Sequence, residues 1–159
     1  MRGLPAPSRT DWIRLTTEPE ILSVLGCGGY TSHWDATAGK SFRCIGAGCA
    51  TCNGGVPADP RYVFLVARLG DGTRYWLELR RRHYKLLEIA EGLNHTLIGT
   101  RWSVRKEWNA ANARVEITFL DWKQTDEVNV ERFVESLACR FPVSESRKPL
   151  GRHLSRLGK

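Results

Sequence analysis

The sequence predicts a mainly β chain with two helices and a metal-binding segment between its first two strands. Most of its apolar stretches alternate with polar residues at a period of two, the pattern of a strand with one buried face. Asp71 and Gly72 separate two such stretches, as the turn of a β-hairpin does. Four of the five cysteines lie between Cys27 and Cys52 among many glycines. This clustering favours a metal site over cysteines that serve as small core residues.

The composition fits one modest hydrophobic core, and it makes a polyanion the first class of partner to consider. The 159 residues are 42% apolar. The 24 Lys and Arg residues against 17 Asp and Glu give a net charge of +7. Six tryptophans can fill a core or offer flat stacking surfaces. No apolar stretch is long enough to cross a bilayer, and no apolar leader follows Met1, so we expect a cytoplasmic protein without a membrane partner.

The chain divides into an arm, a domain and a tail. Residues 1–20 begin with proline and polar residues and are expected to form an N-terminal arm. Residues 21–141 form the domain, in which residues 30–57 are the metal-binding insertion. Residues 142–159 are expected to be a flexible basic tail, because five cations there face the single acid Glu145.

Five stretches have the length and the β-branched or aromatic residues of strands. They are residues 21–25, 61–69, 73–80, 100–108 and 114–122. Apolar residues spaced three and four apart predict helices over 81–93 and 128–141, and Pro142 ends the second helix. The turn at 70–72 joins one hairpin, and the loop at 109–113 joins another.

The metal-binding segment offers donors with the spacing His-x10-Cys-x4-Cys-x2-Cys. A structural zinc ion takes four nitrogen or sulfur donors in a tetrahedron, and a Cys-x2-Cys step at a turn lets two thiolates reach one ion. The surrounding glycines can supply the positive φ angles that such turns need. The predicted ligands of one structural zinc ion are His33, Cys44, Cys49 and Cys52. Cys27 remains an alternative to His33 as the fourth ligand.

The order of these elements is that of an OB-fold. Five strands with one helix between the third and the fourth are the connectivity of this small Greek-key barrel. The metal-binding segment then occupies the loop between the first two strands, and residues 109–113 form the loop between the last two. Because OB-folds bind their ligand across the second and third strands, the expected binding surface lies on residues 61–69 and 73–80.

With these residues the chain resembles the T4-like phage single-stranded DNA-binding, helix-destabilising proteins, which combine an OB-fold with a zinc subdomain. The resemblance rests on the ligand order His, Cys, Cys, Cys ending in Cys-x2-Cys, followed by Arg61 and Tyr62 at a strand start, and it covers about residues 21–122. It implies sequence-tolerant binding of single-stranded DNA in preference to RNA and replication or recombination proteins as partners. It also implies a bacterial or phage-infected cell and no catalytic residues. Those proteins have an acidic tail, whereas the tail here is basic.

Arginines and aromatic residues on the predicted strands are the candidates for nucleic-acid binding. A single strand is held by a positively charged groove with aromatic platforms on which bases stack. We expect Trp76 and Trp108 to be such platforms, and the arginines to contact phosphates or to make cation–π contacts. The candidates are Tyr62, Arg68, Arg74, Trp76, Arg80, Arg101, Arg105, Trp108 and Arg114. The run Arg80-Arg81-Arg82 opens a predicted helix, where the helix dipole disfavours cations, and this conflict suggests a phosphate partner.

The sequence lacks the common signatures of an enzyme. It contains no Gly-x-Ser-x-Gly, no Gly-x4-Gly-Lys-Ser/Thr and no obvious pair of carboxylates in an apolar setting. We therefore expect a binding protein rather than an enzyme. Two other classes stay open: a zinc-stabilised adaptor that binds a protein, and an OB-fold protein that binds RNA.

Overall fold

A computed structural model of the chain describes residues 10–94 and 96–143, and it shows a mainly β architecture with short helices. The strands among these residues are β1 (Glu20–Asp35), β2 (Lys40–Arg43), β3 (Ala58–Arg68), β4 (Arg74–Arg80), β5 (Thr100–Lys106) and β6 (Val115–Trp122). The helices are α1 (Ala50–Asn53), α2 (Tyr84–Asn94) and α3 (Glu131–Ala138), and a 3₁₀ turn over Arg81–His83 leads into α2.

The strands form one antiparallel sheet centred on β1. Its order is β4-β3-β1-β5-β6, and β2 pairs with the far end of β1. β1 is long enough to pair with β5 over its first residues, with β3 over most of its length and with β2 over its last four. None of the pairings among the described residues joins β4 to β6. The described sheet is therefore an open path, and the mainly β class is confirmed without a closed barrel.

The first strand is much longer than the sequence predicted. Residues 21–25 are only its beginning, and it runs on to Asp35, well into the segment predicted as an insertion. The strand β2 was not predicted at all, so the described residues contain six strands where five were expected. A bulge between Val24 and Gly26 shifts the register with β3 and marks the point at which the apolar sequence pattern ends.

Both predicted hairpins are present. β3 and β4 are joined by the turn in which Gly72 has a φ of 71° and the Asp71 carboxylate accepts a hydrogen bond of 2.9 Å from the Thr73 amide. A positive φ at this position is why glycine is suited to it. β5 and β6 are antiparallel neighbours as well.

The β3–β4 hairpin is buried on both faces. On one face Phe64 packs edge-on against Trp102 of β5, with ring centroids 5.1 Å apart, in a cluster that includes Leu79. On the other face Leu65 and Trp76 pack against α3. This hairpin therefore forms the middle layer between two apolar clusters.

The helix α3 lies close against β1 because β1 has glycines there. A Cβ atom added to Gly26 would lie 2.3 Å from the Val128 carbonyl oxygen, and one added to Gly28 would lie 2.9 Å from a Val134 methyl group. The Val128 amide donates a hydrogen bond of 2.8 Å to the Leu25 carbonyl. Residues 128–130 thus attach to β1, and the helix predicted from 128 begins at Glu131.

Part of the predicted arm belongs to the folded domain. The Ile13 amide donates to the Trp76 carbonyl and the Trp76 amide donates to the Asp11 carbonyl, each at 2.9 Å, so this short segment covers the edge of β4. Residues 1–9 of the predicted arm and residues 144–159 of the predicted tail lie outside the described residues. Within the described part of the chain, every helix is too short or too polar to cross a bilayer.

Candidate metal centre and neighbouring surface

The fold brings the four predicted ligands together at the far end of β1. His33 lies on β1, and Cys44 directly follows β2. Cys49 immediately precedes the first residue of α1, and Cys52 lies within α1. Their ligand atoms all lie within 4.8 Å of one another. This cluster can hold one metal ion.

The distances between the donor atoms fit a tetrahedral site. Cys44 Sγ lies 3.6 Å from Cys52 Sγ, and His33 Nε2 lies 3.3 Å from Cys52 Sγ and 3.7 Å from Cys49 Sγ. Donors at usual zinc distances of about 2.3 Å for sulfur and 2.0 Å for nitrogen would lie roughly 3.5–3.8 Å apart in a tetrahedron. Three donor pairs are therefore close to the spacing that a central zinc ion requires, and the other pairs lie within 4.8 Å of each other.

The ring of His33 is oriented for metal binding by the backbone. Its side chain is fully buried, and Nδ1 lies 3.0 Å from the Val56 carbonyl oxygen and 3.1 Å from that of Pro57. Carbonyl oxygens only accept hydrogen bonds, so Nδ1 must carry the proton. Nε2 then presents its lone pair to the cysteines, an arrangement that metal-binding histidines commonly have.

Glycines and backbone hydrogen bonds shape the loop that carries the cysteines. The Cys44 amide donates to the Thr31 carbonyl at 3.0 Å, which fixes Cys44 beside β1, and the Cys49 amide donates to the Gly46 carbonyl at 3.1 Å. Gly46 and Gly48 have φ angles of 76° and 79°, which other residues rarely adopt. The turn preceding Cys49 therefore depends on glycine, as the sequence predicted.

The backbone around Cys49 also favours its thiolate. Burial raises the pKa of Cys49, but hydrogen bonds from backbone amides, those of Cys52 and Ile45 first, outweigh burial and lower it to about 6. The pKa of Cys52 is raised, first by its hydrogen bond with Cys44 and then by burial. Since thiolates are the form that binds metal, the cluster favours negative charge at its most buried sulfur.

Cys27 is not part of the cluster. It lines a separate cavity, where burial raises the pKa of its thiol and the carboxylates of Glu127 and Glu91 raise it further. Among the described residues, the group that could hold a metal ion contains His33 and does not contain Cys27. Of the two alternatives left open by the sequence for the fourth ligand, the structure therefore brings His33 to the three cysteines.

Trp76, one of the two expected stacking platforms, is a core residue. Its side chain is 3% exposed, and its ring stacks on that of Phe133 in α3 with centroids 3.7 Å apart. The structure corrects the expected exposure of this residue, because α3 covers the face of β4 on which it lies. Trp108, the other expected platform, lies after β5 and is 46% exposed.

Four of the six predicted binding arginines are paired with carboxylates on neighbouring strands. The pairs are Arg68 with Glu20, Arg80 with Asp59, Arg101 with Asp121 and Arg105 with Glu116. Their positive charges are compensated locally, so together they do not form a positively charged groove. Arg74 and Arg114 make no ion pair with any described residue, but they lie on the separate hairpins β3–β4 and β5–β6.

A group of uncompensated cations lies elsewhere, at the start of α2. Arg81, Arg82 and Lys85 are exposed, and none of them forms an ion pair within the described ranges. Burial raises the pKa of the Tyr62 phenol, and the nearby charge of Arg81 acts in the opposite direction. Tyr62, one of the predicted residues, lies beside Tyr84 with ring centroids 6.0 Å apart. We call these five residues the α2 basic surface.

A cavity of about 300 Å³ opens beside the α2 basic surface, between β1, β3 and α2. Tyr62, Phe64 and Leu87 form apolar walls, and Glu88 and Glu91 contribute the carboxylates of the lining. The cavity depends on how α2 packs against β3, which no local pattern reveals. The run of three arginines indicates only the neighbouring basic surface, since none of these arginines lines the cavity.

Comparison of the chain with protein-family models, curated proteins and solved structures finds no match. The geometry of the cluster and of the neighbouring surface is therefore the basis for the functional proposal.

Proposed function

We propose that this chain is a single-stranded DNA-binding protein that binds its ligand at the α2 basic surface and is stabilised by one structural zinc ion. The observation that carries the proposal is the juxtaposition of three uncompensated cations with a pair of tyrosine rings, of which Tyr84 is exposed and Tyr62 is half-buried. Cations that contact phosphates and aromatic rings that stack on bases are the two components of sequence-tolerant single-strand binding.

The zinc assignment follows from the donor set. Three sulfurs and one imidazole nitrogen are the ligands of a closed structural zinc site, in which no position is left for water or substrate. The ligands are His33, Cys44, Cys49 and Cys52. Such an ion supplies no reactive group of its own, so it supports a binding protein rather than a hydrolase.

The zinc site and the binding surface share one strand pair. His33 pairs with Ala58, and Gly29 pairs with Tyr62, in the same β1–β3 ladder. Four residues of strand separate the two positions, which is roughly 13 Å at 3.3 Å per residue. By joining β2 and α1 to the end of β1, the ion stabilises the β1–β3 strand pair, and Tyr62 lies on β3 of this pair.

The OB-fold remains the preferred interpretation of the strand order. The path β4-β3-β1-β5-β6, with α2 between β4 and β5, is the order that an OB barrel has when it is opened between its third and fifth strands. The α2 basic surface includes Tyr62, which lies near the middle of the second such strand, β3. This position supports binding near, although not at, the hairpin face that the sequence suggested.

The test is a titration of labelled dT and rU oligomers and of a DNA duplex over a series of salt concentrations. We expect the dT oligomer to bind most tightly. The Arg81→Ala/Arg82→Ala double variant should bind it more weakly, with a salt slope flattened by about 1.4 if two phosphate contacts are lost. The matched control is Arg101→Ala/Arg105→Ala, which removes the same charge from ion pairs and should leave the slope nearly unchanged.

Three results would contradict the proposal. Absence of binding to every oligomer would exclude nucleic acid as the ligand. Tighter binding of rU than of dT would assign the surface to RNA. Equal losses in the two double variants would show that binding follows net charge and not the α2 basic surface.

A second candidate is a zinc-stabilised adaptor for a protein partner. It is favoured by two large apolar side chains beside the metal ligands, Trp34 at 58% exposure and Ile45 at 50%. This candidate predicts that oligonucleotides do not bind.

A further inference from the structure

We infer that the cavity beside α2 receives one base of the bound strand, and that Glu88 and Glu91 make it select bases that carry an exocyclic amino group. This inference rests on the proposed function, and it adds a preference among bases to binding that would otherwise be sequence-tolerant.

The cavity has the shape and lining that a base requires. Its volume of about 300 Å³ is sufficient for one planar ring system. The rings of Tyr62, Phe64 and Tyr84 line it, and they can stack on or pack against the faces of a base. Gly28 and Gly29 line it on β1, so backbone forms this part of its wall.

The charged side chains along α2 lie in the order in which a nucleotide has its groups, with cations for the phosphate first and carboxylates for the base edge after them. Arg81 and Arg82 lie in the 3₁₀ turn that leads into α2, Lys85 lies in the first turn of α2, and Glu88 and Glu91 lie one to two turns later. From Arg82 to Glu88 the 3₁₀ turn and the helix together rise by about 10 Å. This length is comparable with the distance from a phosphate to the outer edge of its base. A nucleotide can therefore place its phosphate at the cations and its base edge at the carboxylates.

The carboxylates give the cavity its selectivity. Glu88 and Glu91 form no ion pair within the described part of the chain, so their oxygens are available to a ligand. A carboxylate accepts hydrogen bonds and donates none, and it therefore matches the amino group of cytosine, as acidic side chains do in duplex DNA. Uracil presents a carbonyl oxygen at the same position, which a carboxylate repels.

Glu91 is one of the residues that line the cavity. On the cavity wall, burial first, and then the charges of Glu127 and Glu91, raise the pKa of the Cys27 thiol. Cys27 therefore stays a neutral thiol, and the negative charge of the cavity belongs to the glutamates. Since the cations lie at the other end of α2, a neutral base edge, and not a phosphate, is the part of the ligand that fits here.

The test compares two oligomers that differ only at the base edge, dC12 and dU12, by fluorescence anisotropy at constant salt with the full-length, zinc-loaded protein. We expect dC12 to bind at least about fivefold more tightly than dU12. The Glu88→Gln/Glu91→Gln variant should lose this ratio, because an amide can donate to the uracil carbonyl. Glu107→Gln, an exposed glutamate outside the cavity, should keep it.

A further variant separates stacking from selection. Tyr84 is 50% exposed, so Tyr84→Ala should remain folded and should weaken the binding of both oligomers while the ratio stays above one. Tight binding of dC12 and dU12 with a ratio near one would overturn the base-selecting cavity and leave the proposed function intact. A high ratio that the double Gln variant retains would also overturn it. Failure of both oligomers to bind would instead reject the proposed function itself.

Discussion

The metal-binding chemistry of the cysteine cluster depends on the imidazole ring of His33. Two backbone carbonyls accept from Nδ1, so the neutral ring faces the three sulfurs with Nε2. Without that ring, three cysteines would leave the fourth position to solvent, and the buried space at the end of β1 would lose its largest polar group.

The zinc content of two variants should therefore show whether His33 or Cys27 is the fourth ligand. We expect Cys27→Ala to retain about one zinc per chain, because Cys27 lies outside the cluster. His33→Ala should lose its metal to a chelator at far lower concentration and should unfold more readily, since structural zinc contributes on the order of 10 kcal/mol to folding. Elemental analysis and thermal unfolding with a chelator series provide the measurement. Loss of zinc from Cys27→Ala, with His33→Ala unaffected, would reverse the assignment.

Among single residues, the metal ligands could be predicted from the sequence, whereas the residues of the proposed nucleic-acid-binding surface could not. Cys49 and Cys52 are recognisable because metal chemistry fixes their spacing along the chain. Trp76 could not be assigned to the core from the sequence. The alternation of apolar and polar residues shows that the two faces of a strand differ, but it does not show which part of the protein covers each face. A hairpin with both faces buried gives no signal of which face binds a ligand.

Among the elements, β1 could be predicted only over its first residues. The run from Gly26 to Gly29 contains three glycines, which are depleted in strands, so its strand character could not be recognised. The structure explains Gly26 and Gly28 by the approach of α3 and of residues 128–130, which leaves no room for a Cβ, whereas a Cβ at Gly29 would lie 3.0 Å from the Arg61 carbonyl oxygen. The hairpin β3–β4, in contrast, was predictable because its turn and both strands carry local signals.

The contact between β1 and the segment leading to α3 can be tested at Gly26. Gly26→Ala should reduce the free energy of unfolding by roughly 1–3 kcal/mol, because the new methyl group would overlap the Val128 carbonyl oxygen and backbone cannot easily move away. Urea unfolding followed by tryptophan fluorescence measures the change. Gly70→Ala is the matched control: no atom lies within 4 Å of the point that its new Cβ would occupy, and its effect should stay within about 0.5 kcal/mol. Equal effects at both glycines would show that this contact does not hold α3 in place.

For the whole molecule, most of the net positive charge comes from the two ends of the chain. Of the 24 Lys and Arg residues, seven lie in residues 1–9 and 144–159, whereas only one of the 17 acids does. Residues 10–143 therefore hold 17 cations and 16 acids. This near balance agrees with the ion pairs that compensate the predicted arginines. Long-range attraction to a polyanion must then come mainly from the terminal segments, while the α2 basic surface supplies local contacts.

Removal of residues 144–159 should consequently weaken single-strand binding most at low salt. The segment holds five cations, and each phosphate contact contributes about 0.7 to the slope of log affinity against log salt, so the slope should flatten by up to about 3.5. A chain of full length with these five cations replaced by glutamine is the matched control, and it should show the same flattening if charge is the cause. The ratio between dC12 and dU12 should stay constant in both, because a segment that contacts only phosphates does not distinguish bases. An unchanged slope would assign the tail to a different partner, and all of the nucleic-acid affinity would then have to arise from the nearly neutral domain.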